Sequence, residues 1–217
     1  RKVIRYFGFS THTNMTECLM AASKMDWIDV IMTSYNFRLM QDDNFQKAVD
    51  ACHKAGIGLI AMKVQGHGQS APWGGDKPSI STDKDKELAQ KFLDKGYTEG
   101  QAKIKAVLED ERFASACVTM QNIALVTSNV AASLDKIKLS QDDKQFLKDY
   151  AQQTCDGYCA GCGNICASAM PQMPYISEVM RYLMYHNSYG EKQLAKQLYA
   201  DLPAQYRDQI TSLDYSK

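Results

Sequence analysis

The sequence predicts an α/β fold: four βα units around a parallel sheet, followed by a small helical, cysteine-rich tail. Two patterns define the sheet part, residues 1–152. Short, continuously apolar runs suit strands buried in a parallel sheet, and stretches of helical period separate them. A third observation defines the tail, residues 153–217. Four cysteines, Cys155, Cys159, Cys162 and Cys166, fall within CDGYCAGCGNIC, and Pro171 and Pro174 break the chain soon after.

Taken in order, Val3–Phe9 reads as a strand ending at Ser10. Thr13 can cap a helix running to about Met25, with Met15, Leu19 and Ala22 on its inner face. Ile28–Met32 reads as the second strand. The next helix covers about 41–54, with Phe45, Ala48, Val49 and Cys52 inward and Gly56 as its stop. The acidic pair Asp42 and Asp43 stands at its start, where carboxylates favour the helix dipole. Ile57–Met62 is the third strand. Residues 64–82 carry Gly66, Gly68, Pro72, Gly74, Gly75 and Pro78 and read as a long loop. These glycines lack the GK[ST] context of a phosphate loop. Helices follow at about 83–95 and 98–110, then a fourth strand at Ala116–Thr119, then helices at about 123–135 and 141–152. In the tail, Ser177 opens an aromatic-rich helix ended by Gly190. Its Tyr182, Tyr185 and Tyr189 have helical spacing and read as packing residues. Two shorter helices at about 191–200 and 204–212 are split by Pro203.

Composition narrows the function. The 217 residues hold 25 Lys plus Arg and 25 Asp plus Glu, a balance that gives no reason to expect nucleic acid or an anionic membrane as partner. No apolar run approaches the roughly 18 residues of a membrane span, and no signal-peptide core is present. Cys18, Cys52 and Cys117 lie in apolar patterns and read as buried thiols in a reducing compartment, hence the cytoplasm, with export left open.

The cysteine run C-x3-C-x2-C-x3-C limits the chemistry most tightly. Gly157, Gly161 and Gly163 let the backbone turn sharply around a small inorganic core, and a [4Fe–4S] cluster fits best. Zinc and bridged thiols are the alternatives. Zinc sites commonly separate two cysteine knuckles by a longer spacer, and two disulfides would strain so short a segment. The bacterial ferredoxin run places Pro after its fourth cysteine, where this chain has Ala167.

Several polar residues have a functional and an ordinary reading. Lys63 follows a strand end, the face where barrel folds place their chemistry. It could meet a cofactor phosphate or substrate anion, or simply pair with a carboxylate. His12 at the same rim reads as a proton donor or a loop cap, and His67 as a pocket or loop residue. His53 and His186 read as surface or packing residues.

Read in order, these segments resemble the second half of an aldo/keto reductase barrel. KVIRYFGFSTH is similar to the family's fifth strand, where a Gly-x-Ser motif closes the strand. IDVIMTSYNF resembles the sixth strand, GIGLIAMKVQG the seventh, and ASACVTMQNIALVTSN the eighth with its helix. VAASLDKIKLSQDDKQFL is like the last barrel helix region. CAGCGNIC followed by MPYISEVMRYLMY resembles the ferredoxin-like tail of bacterial members. The resemblance covers nearly the whole chain. It implies the closing half of a (β/α)8 barrel, NADP or NAD as cofactor, and a small carbonyl or alcohol substrate.

It also implies specific residues. Ser10 keeps the hydroxyl that contacts the nicotinamide carboxamide, and its neighbour, normally Asn, is Thr11. The sixth-strand Gln position is Met32. The aromatic that stacks on the nicotinamide is Met62, followed by Lys63. Asn129 keeps the adenine-side position. An Arg that often holds a 2′-phosphate is replaced by Leu125, and a neighbouring Glu by Ser128, which removes a charge-assisted contact. The family's catalytic Asp, Tyr, Lys and His lie on the first four strands, and nothing here aligns with them. The missing barrel half is therefore expected from a longer polypeptide or a second copy, and a redox partner is expected for the tail. The competing expectation is a non-catalytic iron–sulfur electron-transfer or interaction protein with a vestigial nucleotide site.

Overall fold

The computed structural model describes residues 3–66, 83–120, 122–155, 158–187 and 189–212. They fall into two compact units, residues 3–66 with 83–155 in one and 158–212 in the other. The first unit contains a four-stranded sheet: β1 Gly8–Thr11, β2 Val30–Ser34, β3 Gly58–Met62 and β4 Phe113–Ala116. All pairings are parallel, and the spatial order is the chain order, β1-β2-β3-β4. A doubly wound sheet reverses direction at a switch point, whereas a singly wound one keeps chain order as here.

The register sorts the strand residues into two faces. Phe9, Ile31, Leu59 and Phe113 form one row, and Ile31, Leu59 and Phe113 are buried. Ser10, Met32, Ile60 and Ser115 form the adjacent row on the opposite face, where Val30, Met32, Ile60 and Met62 are only half-buried. Gly8 is required at the first pairing, because a Cβ there would collide with the Val30 carbonyl oxygen. The buried face is covered from the helical side. Helix α1 (Met15–Ala22) packs on α2 (Asp43–Lys54) through Leu19 and Cys52, whose thiol lies 3.2 Å from the Leu19 carbonyl oxygen. Asp42 caps α2 by accepting from the Asn44 and Phe45 amides.

Helices α3 (Asp83–Leu93), α4 (Glu99–Leu108), α5 (Ile123–Leu134) and α6 (Gln141–Gln153) complete the unit. A second apolar cluster joins Phe37, Leu88, Phe92, Ala106, Leu147 and Tyr150. Capping boxes start α4 (Thr98 with Gln101) and α6 (Ser140 with Asp143). Asp143 does more than cap α6. It is buried and also pairs with Lys95 at 2.5 Å. The tail unit contains α7 Gly163–Ala169, α8 Ile176–Asn187, α9 Lys192–Ala200 and α10 Ala204–Ser212. No helix among the described residues is long and apolar enough to cross a membrane.

Several boundaries differ from the sequence expectation. Val3–Tyr6 are not strand: pairing begins only where Phe7 meets Asp29, whose amide donates to the Phe7 carbonyl at 2.8 Å. The second strand is displaced to Val30–Ser34 by the same register, and the fourth starts earlier, at Phe113 opposite Leu59. Thr13 does not cap α1. Its carbonyl accepts from the Thr11 hydroxyl, and Asn14, at φ 47°, takes the cap position but its side chain accepts no capping bond. Helix α7 was not expected. Cys117 is exposed rather than buried, because it lies just past the end of β4; Cys18 is half-buried and Cys52 fully buried. The expected loop residues Gly68, Pro72, Gly74, Gly75 and Pro78, and His67, lie outside the described residues, as does Gly157.

Candidate functional site

The residues expected to hold a nucleotide stand mostly at the C-terminal rim of the sheet. Ser10 is exposed and pairs in register with Met32, and Ser34 pairs with Met62 two residues further along the same face. Together they place two hydroxyls, Ser10 exposed and Ser34 buried, beside Met32 and Met62. Thr11 is turned away from this role: its hydroxyl donates to the Thr13 carbonyl at 2.9 Å. Lys63 follows Met62 with a left-handed backbone, φ 54°. Its carbonyl accepts from the Asn36 amide at 3.1 Å and from the Gly66 amide at 2.9 Å, which folds the loop after β3 back on the loop after β2. Gly66, at φ 67°, sits against Phe37 and Asn36, with no room for a side chain. Asn129 stands apart from this row, on α5. It is buried, and its side-chain amide donates to the Thr119 carbonyl at 3.0 Å.

Two polar groupings were not foreseen. In the first, the Asn36 side chain also accepts from the Arg38 and Leu39 amides, fixing the loop after β2. Arg38 is buried between the rings of Phe37 and Tyr150, 5.0 and 5.4 Å from their centroids. Its guanidinium donates to the carbonyls of Ala151 and Thr154 and to the Thr154 hydroxyl. Thr154 immediately precedes Cys155, so the loop is bonded to the root of the cysteine segment. In the second grouping, Asp110 receives the Tyr35 hydroxyl and three donors from Arg112, its backbone amide and two guanidinium nitrogens, and Arg112 also reaches Asp50 at 2.7 Å and Gln46 at 2.5 Å. Burial opposes ionising Asp110, but the bonds from Arg112 and Tyr35 outweigh it and hold the carboxyl below its usual value. Burial, then Asp110, pushes the Tyr35 phenol well above its ordinary value. The available sequence signal was three polar or charged residues within four positions, Tyr35, Asn36 and Arg38 around Phe37, just past a strand end.

In the tail unit, Gly161 is left-handed at φ 84°, and Cys162 caps the start of α7. Cys166 lies one turn on, its amide 3.4 Å from the Cys162 carbonyl. The Cys159 amide lies 3.1 Å from the sulfur of buried Met184 on α8. All seven cysteines are outside disulfides, so the reduced donor set suits a soft metal centre. Among the described residues, no three His, Cys, Asp or Glu are grouped so as to hold a metal ion.

No protein-family model matches the chain, and neither does any curated protein. Among solved structures, similar chains include a thermostable aldo-keto reductase in complex with the inhibitor epalrestat, at 20% identity and a TM-score of 0.49, covering 68% of this chain and 49% of its own. An aldo-keto reductase from Bacillus halodurans matches at 18% identity and a TM-score of 0.49, covering 68% and 50%. An aldose reductase from Giardia lamblia matches at 19% and 0.48, covering 68% and 45%. The chain thus spans about half the length of these structures. Likeness at this level does not define an activity. By its own fold the chain is an α/β protein with a singly wound parallel sheet.

Proposed function

We propose that this chain is the nucleotide-side half of an aldo/keto reductase-like barrel, an NAD(P)-dependent oxidoreductase acting on a small carbonyl or alcohol. The observation that carries the reading is the strand order: four parallel strands in chain order, with one face buried under helices and the other half-exposed. Parallel sheets are normally covered on both faces. Both flanks of the sheet also expose apolar side chains. Ile4 is 66% and Trp27 55% exposed beside β1, and Leu134 is 72% and Ile137 73% exposed at the end of α5. A further (β/α)4 unit, from a longer polypeptide or a second copy, would cover the open face and both flanks and close eight strands. The catalytic Asp, Tyr, Lys and His would come from that unit.

Ser10 fits the nicotinamide, because its hydroxyl is exposed on the open face, and Met32 and Met62 give that face an apolar surface. Thr11 does not fit, since its hydroxyl is engaged by Thr13. When bound, a reduced nicotinamide supplies hydride. This chain's residues would bind and orient the ring and keep water from it.

The reading extends to the tail. The cysteine spacing and the reduced thiols support a [4Fe–4S] cluster, with binding and ordering of the segment coupled, as in other metal-folded modules. It also implies a cytoplasmic setting. The engaged hydroxyl of Thr11 and the substitutions at Leu125 and Ser128 favour, as second reading, a non-catalytic iron–sulfur protein. Two assays on the purified chain separate these. NADPH fluorescence that changes saturably on titration supports the oxidoreductase, and iron with acid-labile sulfide supports the cluster. Iron without binding of NADPH or NADH at millimolar concentration leaves the second reading. Zinc without iron removes the redox role of the tail.

A further inference from the structure

A cleft of about 530 Å³ opens on the helical side of the sheet, between the loop after β2, the start of α2, the α4–β4 corner and α6. Its volume falls in the range of about 300–1,000 Å³ typical of small-molecule sites. It is separate from the nucleotide rim. Tyr35, in its wall, stacks on Phe113 at 4.0 Å, and Phe113 belongs to the buried row, whereas Ser10 and Met32 face the other way.

We propose that this cleft binds a small organic cation, a primary amine or guanidinium carried on an apolar body. The floor is apolar: Phe37, Ala106 and Leu147 are buried there, with Met40 half-buried beside them. Such a floor takes the body of a ligand and leaves its specificity to a few polar groups.

The polar groups discriminate by charge. Each of the three guanidinium nitrogens of Arg112 is already engaged within the wall: Nε by Asp110, one terminal nitrogen by Asp50, and the other by Asp110, Gln46 and Tyr35. The guanidinium is therefore matched before any anion arrives. Lys144 is held 2.8 Å from Glu109 Oε2, a buried oxygen that makes no hydrogen bond of good geometry. Glu109 itself is only 12% exposed and takes the Leu139 amide on its other oxygen. That leaves Glu111. It is exposed, lines the mouth, and forms no ion pair among the described residues. Gln41, also in the lining, donates its side-chain N–H to the Phe37 carbonyl, which leaves its amide oxygen to accept. An entering cation therefore meets an uncompensated carboxylate and a carbonyl acceptor above an apolar floor. An anion meets three carboxylates against two cations, both already paired. A cleft that gathers a strongly perturbed tyrosine and a coupled Asp–Arg pair has the electrostatic character common at ligand sites.

The test is titration of the full chain with benzylamine, benzyl alcohol and benzoate, followed by amide chemical shifts. Benzylamine is expected to move the resonances of Gln41, Ala106, Glu111 and Leu147 saturably. Benzyl alcohol should bind more weakly, and benzoate should leave these resonances in place. Glu111→Gln, a surface change that keeps the spectrum of the folded chain, should weaken benzylamine about fivefold, the scale of one partly exposed ion pair. Met40→Ala should weaken the amine and the alcohol alike. Benzoate binding as tightly as benzylamine, full affinity in Glu111→Gln, or no shifts with millimolar amine would each overturn the proposal.

Discussion

Arg38 reaches from the loop after β2 to the last residue before the cysteine segment, donating to the Thr154 hydroxyl at 2.6 Å and the Thr154 carbonyl at 3.1 Å. It joins two parts of the chain 116 residues apart. The same loop is tied through Asn36 to the carbonyl of Lys63 at the nucleotide rim. Replacing Arg38 by Gln removes charge-assisted bonds from buried carbonyls and the stacking on Phe37 and Tyr150. The expected loss is roughly 2–4 kcal/mol of stability. Urea unfolding measures it, and hydrogen exchange should show the loss concentrated in the last turn of α6. A variant with unchanged midpoint and unchanged exchange there would show that the guanidinium bonds contribute nothing net.

Asp110 gives the pH dependence. Its folded carboxyl is held below its ordinary value by Arg112 and Tyr35 against the opposing effect of burial. The folded state therefore binds protons less readily than the unfolded chain. Its contribution is complete above the ordinary aspartate value of about 4 and is lost as pH falls through the lower folded value. Asp143, held down by Lys95 and Ser140 against burial, acts in the same direction. Asp110→Asn should be less stable at neutral pH, and its unfolding free energy should fall less steeply under acid. Equal acid slopes for the variant and the parent chain would refute this account.

Thiol reactivity should separate Cys117 from Cys52. Cys52 is fully buried, and burial pushes its thiol up to about 11, whereas Cys117 is exposed past the end of β4. Alkylation mapped by mass spectrometry at neutral pH should label Cys117 quickly and Cys52 only on unfolding. Rapid labelling of Cys52 in the folded chain would contradict its place between α1 and α2.

Ser10 is the rim hydroxyl most open to a nicotinamide. If the chain binds NADPH, Ser10→Ala should weaken binding about fivefold, the scale of one neutral hydrogen bond, while Thr11→Val should have little effect because Thr13 already takes that hydroxyl. Fluorescence titration of both variants reads the difference. A larger loss at Thr11 than at Ser10 would reverse the assignment.

Much of the sheet was legible from residue order. Ile31, Leu59 and Ala61 sit in continuously apolar runs, and the inner faces of α1 and α2 are the ones their spacing gives: Met15, Leu19 and Ala22, and Phe45, Ala48, Val49 and Cys52. The strand ends were less legible. Val3–Tyr6 have strand-like composition but no neighbour to bond, and pairing partners are not a local property. The rim was read in part. Ser10 and Met32 do lie side by side, but the fate of the Thr11 hydroxyl depended on a turn at Thr13 that composition does not encode.

The order and type of the βα units and the spacing of four thiols are properties of the chain written in one dimension, because periodicity and ligand spacing are local. Three features depended on the tertiary structure: the open face of the sheet, the Arg38 tie to Thr154, and the cleft around Arg112. The open face follows from strand pairings that no local pattern specifies, and the tie and the cleft arise from side chains dozens of residues apart meeting in a low-dielectric interior. There, an unmatched polar group costs more than the bonds that hold it in place.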